Sequence, residues 1–158
     1  MNAFTASEII AFAARIHENG AHFYKYAIQL VKNEEAKDLF FELADEELKH
    51  KEHLDKIFAG MEKDIPKETY RGEYAEYLRD YIDNNVVFTK AAIDSDLAAV
   101  KDACSAIDFA ARRELDSIEY YETIKGIVPE SRHEAIDTLT EEEKKHYAQL
   151  TNLRQCVL

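Results

Sequence analysis

Two short segments, Glu46-Glu-Leu-Lys-His50 and Glu142-Glu-Lys-Lys-His146, lie 96 residues apart and decide the fold. Both contain Glu-x-x-His, whose two side chains share one face of an α-helix because residues three apart are neighbours on the helix surface. The self-match continues outside the motif at the same offset, which indicates an internal repeat. The further matching pairs are Glu18/Glu114, Tyr24/Tyr120, Leu43/Leu139 and Leu54/Leu150. We therefore predict two similar halves, each built from helices.

Apolar residues with helical periodicity predict four long helices, at about 7–32, 34–60, 95–125 and 129–155. Gly60 and Gly126 are expected to end the second and third helices. Pro129 is expected to open the fourth at its first helical position. The stretch 61–94 is the one long connection, and its tyrosines predict a short helix inside it. The predicted fold is all-α, a four-helix bundle of two antiparallel hairpins joined by this crossover.

Composition limits the possible functions. The 158 residues suit one domain, 1–158, and four Gly with two Pro leave few turns for an all-β fold. The net charge of −12 argues against binding to nucleic acid or to an anionic membrane surface. No apolar run approaches the roughly 20 residues of a membrane span. The start of the chain shows no secretory signal and the two cysteines no CxxC motif, so we expect a cytoplasmic protein.

The repeat predicts a cluster of metal ligands. Residues equidistant from the turn of an antiparallel hairpin lie at one height, and both glutamates of each hairpin lie about 21 Å from their turn. Hard carboxylate oxygens with a few imidazole nitrogens suit Fe or Mn. Four glutamates balance the charge of two divalent ions, which we expect about 3.5–4 Å apart. The six predicted ligands are Glu18, Glu47, His50, Glu114, Glu143 and His146. Without metal, their carboxylates should have raised pKa values.

Several other residues receive provisional roles from their spacing. Tyr121 follows Glu114 by seven residues, so it is either a partner of the site, with a hydrogen bond or a transient radical, or a core tyrosine. Tyr24 and Tyr120 are expected to pack between helices, and Gly20 to permit close approach of a neighbouring helix. The histidines outside the repeat, and the third Glu-x-x-His match, are interpreted as surface or packing residues. They are His17, His22, His53 and the pair Glu130/His133.

These segments resemble the ferritin-like di-iron carboxylate superfamily, and within it the rubrerythrin branch. The resemblance is carried by Glu18-Asn-Gly-Ala-His-Phe-Tyr24, by Glu114-Leu-Asp-Ser-Ile-Glu-Tyr-Tyr121 and by the two Glu-x-x-His segments. It implies that Glu18 and Glu114 are terminal ligands, that Glu47 and Glu143 bridge two irons, and that His50 and His146 each supply one nitrogen. The internal repeat makes the two hairpins near-equivalents, so we also expect a pseudo-twofold axis along the bundle that relates them.

The chain departs from the rubrerythrin pattern in identifiable places. The CxxC pairs of the rubredoxin module are absent, so the resemblance implies a separate electron-donor protein. Ser117 stands where rubrerythrins carry an additional glutamate. No fifth helix and no mid-helix haem-binding methionine are apparent.

The resemblance implies a di-iron oxidoreductase that reduces hydrogen peroxide or oxygen, or oxidises Fe(II), in oxidative stress or iron metabolism. The alternatives are iron binding or storage without turnover, and a metal that only stabilises the bundle. Mn or Zn could replace Fe in a purified sample. We expect a homodimer.

Overall fold

The computed structural model describes residues 6–59, 95, 97–126 and 128–156. These residues form four long α-helices, α1 (Ala6–Leu30), α2 (Glu34–Ile57), α3 (Ala103–Lys125) and α4 (His133–Cys156). No strand occurs within these ranges, so the all-α prediction is confirmed. The predicted crossover and its short helix, at 61–94, lie outside the described residues. Among the described helices, none has the length and apolar character needed to cross a membrane.

Polar caps set where α2 and α3 begin. Asn33 accepts a hydrogen bond from the Ala36 backbone N–H at 2.9 Å, and two acidic residues in the first turn suit the positive end of the helix dipole. Asp102 and Ser105 form a reciprocal capping box at the start of α3. The predicted start of α3 at residue 95 is therefore wrong. The backbone of Asp102 is extended, at φ −148° and ψ 177°, and interrupts the helix there.

The turn before α4 differs slightly from the prediction. Pro129 precedes a short 3₁₀ helix, Glu130–Arg132, and α4 itself begins at His133. The Arg132 guanidinium donates hydrogen bonds to the carbonyl oxygens of Ile57 and Ala59, at 2.6 and 3.3 Å. These bonds place the beginning of α4 beside the end of α2.

The two hairpins run in opposite directions. The apolar core at one end of the bundle combines the last turns of α1, the first turns of α2, the beginning of α3 and the end of α4. The α1–α2 turn therefore lies at the end of the bundle where α3 begins, and the α3–α4 turn lies at the other end. An approximate twofold axis that exchanges the hairpins must be perpendicular to the helices, so the predicted axis along the bundle is wrong.

Apolar layers enclose a polar layer at mid-height. Phe23, Phe40, Leu43 and Ile107 are at most 1% exposed in the core at one end, and Ile124, Ile136 and Leu139 are equally buried in the other half. The buried polar and charged residues include His17, Glu47, His50, Glu114, Ser117, Glu143 and His146. Because ionisable side chains are almost never fully buried unless they are paired or bind a metal, this layer is the candidate functional site.

Candidate metal centre

Five of the six predicted ligands meet in the polar layer. Glu47, Glu114, Glu143 and His146 each offer a ligand atom, and these atoms lie within 4.8 Å of one another. His50 lies beside them, with its ring centroid 5.3 Å from that of His146. All five residues are at most 4% exposed and come from α2, α3 and α4.

Glu18, the sixth predicted ligand, lies outside the cluster. Its exposed carboxylate forms an ion pair with Lys51 at 2.5 Å. The prediction for Glu18 is wrong because one residue along a helix turns the side chain by about 100°. The preceding residue, His17, points inward, is 0% exposed, and forms a second group of possible ligands with Glu47 and His50. Of the two roles expected for His17, surface or packing, its burial rules out the first.

The two predicted histidines are oriented in the same way. Nε2 of His50 lies 2.7 Å from a carboxylate oxygen of Glu142, and Nε2 of His146 lies 2.5 Å from one of Glu46. Their Nδ1 atoms point to the centre of the cluster. Nδ1 of His50 lies 2.9 Å from one carboxylate oxygen of Glu143, and Nδ1 of His146 lies 3.6 Å from the other. An imidazole that binds a metal usually donates its other N–H to an outer carboxylate or carbonyl, which fixes the ring. Glu46 and Glu142 provide that outer contact across the approximate twofold axis.

His17 has the same orientation. Its Nδ1 lies 2.5 Å from Oε2 of Glu47, and its Nε2 hydrogen-bonds the hydroxyl of Tyr121. Its ring centroid is 5.3 Å from that of His50, the same separation as between His50 and His146. The centre therefore presents three inward Nδ1 atoms, each on a ring whose Nε2 has an outer partner.

Two tyrosines connect the first and third helices reciprocally. Tyr24 of α1 donates a hydrogen bond to Oε1 of Glu114 at 2.6 Å, and Tyr121 of α3 contacts His17. Tyr24 is thus both a partner of the site and, as predicted, a packing residue of the core. Each tyrosine follows its own inward residue by seven positions, so α1 and α3 repeat at an offset of 97 whereas α2 and α4 repeat at 96. That shared spacing of seven is the sequence signal that identifies His17, rather than Glu18, as the inward counterpart of Glu114.

Several buried atoms of the cluster have no hydrogen-bond partner. They are Nδ1 of His50, Nδ1 of His146, Oε2 of Glu114 and both carboxylate oxygens of Glu143. Leaving a buried polar atom unsatisfied costs about 1–3 kcal/mol. All of these atoms face the same point, and a mixed set of carboxylate oxygens and imidazole nitrogens suits Fe or Mn. The residues present therefore fit a metal centre.

Electrostatics within the cluster follow from burial and close contacts. Burial, and then the charge of Glu143, raise the pKa of Glu114 well above its ordinary value. Burial also acts to raise the pKa of Glu143, but close polar contacts with Glu114, His146 and His50 hold it well below that value. Burial opposes the charged form of His146, but contacts with Glu114 and Glu143 raise its pKa to about 12. The expected rise is confirmed for Glu114 and wrong for Glu143, because the close contacts with Glu114, His146 and His50 stabilise the charged form of Glu143.

Gly20 makes room for the carboxylate of Glu47. A Cβ atom at this position would lie 2.9 Å from Cδ of Glu47 and 3.0 and 3.2 Å from its two oxygens. Its counterpart at the offset of 97 is Ser117, which is buried and donates a hydrogen bond to the Arg113 carbonyl at 3.1 Å. A cavity of about 20 Å³ lies beside these small residues and is also lined by Glu47 and Glu114.

The opposite side of the centre has an opening to solvent. An open cleft of about 290 Å³ lies between α2 and α4. It is lined by the outer carboxylates Glu46 and Glu142, by His50 and His146, and by two lysines, Lys49 and Lys145. Ions and small polar molecules can therefore approach the inner histidines from this face.

The remaining histidines play no part in the cluster, as predicted. His22 and His53 are exposed. His133 is half-buried, with Nε2 3.2 Å from the Val128 carbonyl, and Glu130 is exposed. The third Glu-x-x-His match is thus a chance occurrence within the described residues.

Comparison with known proteins agrees with this geometry. The Rubrerythrin family model matches residues 8–154. A crystal structure from Thermotoga maritima, provisionally described as a ferritin-like diiron-carboxylate protein, superposes with a TM-score of 0.67. It is 25% identical in sequence, and the match covers 98% of this chain and 97% of that one. No curated protein matches the sequence significantly. With the family match spanning almost the whole chain and a buried carboxylate–histidine cluster at its centre, the chain belongs to the rubrerythrin family.

Proposed function

We propose that this chain is a di-iron oxidoreductase that reduces hydrogen peroxide or oxygen, or oxidises Fe(II). The observation that carries the proposal is the set of buried, unpartnered oxygen and nitrogen atoms on Glu114, Glu143, His50 and His146. Two ferrous ions at this site would supply the two electrons that convert one peroxide and two protons into two waters, leaving two ferric ions.

The residues of the cluster divide naturally by position. Glu143 lies between His50 and His146 and contacts both, while Glu47 belongs to two of the three groups of possible ligands, so each is suited to bridge two ions. Glu114 and His146 share one group of possible ligands with both of these carboxylates, and His50 shares another with Glu47. These positions support the roles that the family resemblance implies for all five.

The surroundings suit a small oxygen-containing substrate. A cavity needs about 10–15 Å³ to hold one water molecule, so the 20 Å³ beside Glu47 and Glu114 suits a molecule the size of peroxide or dioxygen. Tyr121 is buried among carboxylates, and burial raises its pKa well above the ordinary value. Its hydroxyl therefore stays protonated, and the hydroxyl oxygen can accept a hydrogen bond from the Nε2–H of His17. We propose this contact as the role of Tyr121, in place of a core tyrosine without function.

Stopped-flow mixing of the anaerobic ferrous protein with peroxide tests the proposal. We expect oxidation much faster than in a Glu47→Ala/Glu143→Ala double variant, which loses both bridging carboxylates. A matched control is Glu42→Ala/Glu141→Ala, which removes two exposed glutamates from the same helices and should leave the rate unchanged. Equal rates in the wild type and the double variant would refute the proposal.

The oligomeric state distinguishes turnover from storage. We propose a homodimer, supported by two exposed apolar residues, Phe41 and Leu48, which lie seven residues apart on α2. Size-exclusion chromatography should give a species of two chains. A particle of many chains would instead support iron storage. We also propose that electrons for repeated turnover come from a separate protein, which can be tested by steady-state peroxide reduction with added donor proteins.

A further inference from the structure

The first helix contributes a nitrogen where the third contributes a carboxylate. His17 and Glu114 occupy equivalent positions, each seven residues before the tyrosine that reaches across to the other. Both are buried, at 0% and 2% exposure, and both point to the centre. The approximate symmetry of the bundle is therefore preserved in position but not in chemistry.

We propose that His17 is a metal ligand and that it makes the two halves of the centre unequal. The proposal rests on the metal centre of the proposed function and goes beyond the ligand set that the family resemblance implies. One half would have two terminal imidazoles, from His17 and His50. The other would have a terminal carboxylate and an imidazole, from Glu114 and His146. Glu47 and Glu143 would serve both halves.

The orientation of His17 argues for ligation rather than for packing. His17 forms one group of possible ligands with Glu47 and His50, whose ligand atoms lie within 4.8 Å of one another, and its Nδ1 lies 2.5 Å from Oε2 of Glu47. Its Nε2 is held by Tyr121, as the Nε2 atoms of His50 and His146 are held by Glu142 and Glu46. All three rings thus offer the same atom to the centre and keep the other nitrogen for an outer contact.

Unequal donor sets should select among ions. Carboxylates suit hard ions such as Mn(II), whereas imidazole suits later ions such as Co(II) and Zn(II). The Glu114 half should therefore take Mn(II) readily, and the His17 half should take it poorly while still accepting Co(II). We expect a second Mn(II) to bind at least about tenfold more weakly than the first, a factor comparable to the loss of a single outer partner of a ligand.

Two measurements on the whole chain test this proposal. The first is Mn(II) titration followed by the electron paramagnetic resonance signal of free Mn(II). Wild type should show one strong and one weak site, and His17→Glu should strengthen the second by about tenfold or more. The exposed neighbour provides the control, because Glu18→Gln should behave as wild type.

The second measurement is proton NMR of the Co(II)-loaded protein in water. Each imidazole bound through Nδ1 keeps an Nε2–H, which gives a strongly shifted signal that exchanges with solvent. We expect three such signals in wild type, from His17, His50 and His146, and two in His17→Gln. Circular dichroism is the control for the helical fold of both His17 variants. If His17→Glu fails to fold, His17→Gln replaces it.

The outcomes separate this inference from the proposed function. Two Co(II) ions bound with only two shifted N–H signals in wild type would overturn the role of His17 and leave the metal centre intact. Unchanged Mn(II) binding in a folded His17→Glu protein would overturn the inequality of the two halves. Failure of wild type to bind Co(II) or Mn(II) at all would refute the metal centre itself.

Discussion

Replacing Gly20 with alanine should separate metal binding from the stability of the fold. The added Cβ would lie 2.9 Å from Cδ of Glu47, whereas carbon atoms pack at roughly 3.5–4.0 Å. The carboxyl group must therefore move by at least about 0.6 Å. Glu47 is 4% exposed and bonded to His17, so it cannot swing into solvent as a surface glutamate would.

Two opposing terms leave the metal-free protein almost unchanged. Alanine is better than glycine inside a helix by about 1 kcal/mol. Losing or stretching the bond between His17 and Glu47 costs about 0.5–1.5 kcal/mol. We therefore expect the free energy of unfolding without metal to stay within about 1 kcal/mol of wild type.

The effect of Gly20→Ala on metal affinity is not offset by an opposing term. Metal–ligand distances tolerate changes of only about 0.2 Å, so displacing Glu47 should weaken binding by about tenfold or more. A tenfold loss corresponds to about 1.4 kcal/mol, which lowers the metal-induced rise in Tm by at least about 3 °C for a chain of this size.

Thermal unfolding with EDTA and with saturating Co(II) measures both quantities. Gly126→Ala is the matched control, because Gly126 is an exposed helix end with an ordinary φ of −68°. It should keep the full metal-induced rise in Tm. A Gly20→Ala protein with the same rise as wild type would show that Glu47 is not held where the contact requires it.

Two further predictions concern the outer contacts and the charge of the centre. Tyr24→Phe removes the hydrogen bond to Glu114 and should weaken Co(II) binding by about 10–100-fold, whereas Tyr26→Phe, a partly buried packing residue on the same helix, should not; equal affinities in a chelator competition would contradict this. In metal-free protein, His146 has a pKa raised from 6.5 to about 12, so its contribution to stability is complete below pH 6.5 and is lost as the pH rises towards 12. Urea unfolding in EDTA should therefore show a falling free energy of unfolding from pH 7 to 10, with a weaker fall in His146→Gln, and a rise would contradict the assignment.

The part of the site that the sequence predicts well is local to one helix. Glu47 with His50, and Glu143 with His146, are three residues apart, so one turn of helix is enough to place both on one face. Their assignment needs no knowledge of how helices pack. The capping box of Asp102 and Ser105 is equally local, yet apolar Leu97 and Val100 continue the periodic pattern before it and conceal the true start of α3.

The missed features depend on register between helices. Glu18 and His17 differ by one residue, and sequence symmetry at an offset of 96 favours the glutamate, whereas packing of α1 against α3 selects the histidine. Gly20 is explained only by the carboxylate of Glu47, which lies 27 residues later in the sequence on the next helix and packs against it in the folded hairpin. The direction of the twofold axis likewise depends on which ends of the two hairpins meet.

Repeat-related residues are better matched in one pair of helices than in the other, and this difference bears on whether the two proposed metal positions are equivalent. Between α2 and α4 the matching residues are identical: Glu46/Glu142, Glu47/Glu143, Lys49/Lys145 and His50/His146. Between α1 and α3 the tyrosines match, but His17 replaces a carboxylate and Gly20 replaces a serine. The proposed bridging carboxylates, with His50 and His146, thus come from a symmetric pair of helices, while the proposed ligands His17 and Glu114 and the small cavity belong to an asymmetric pair. Any difference between the two metal positions must therefore arise from α1 and α3, which is why substitutions at His17 and Gly20 examine it most directly.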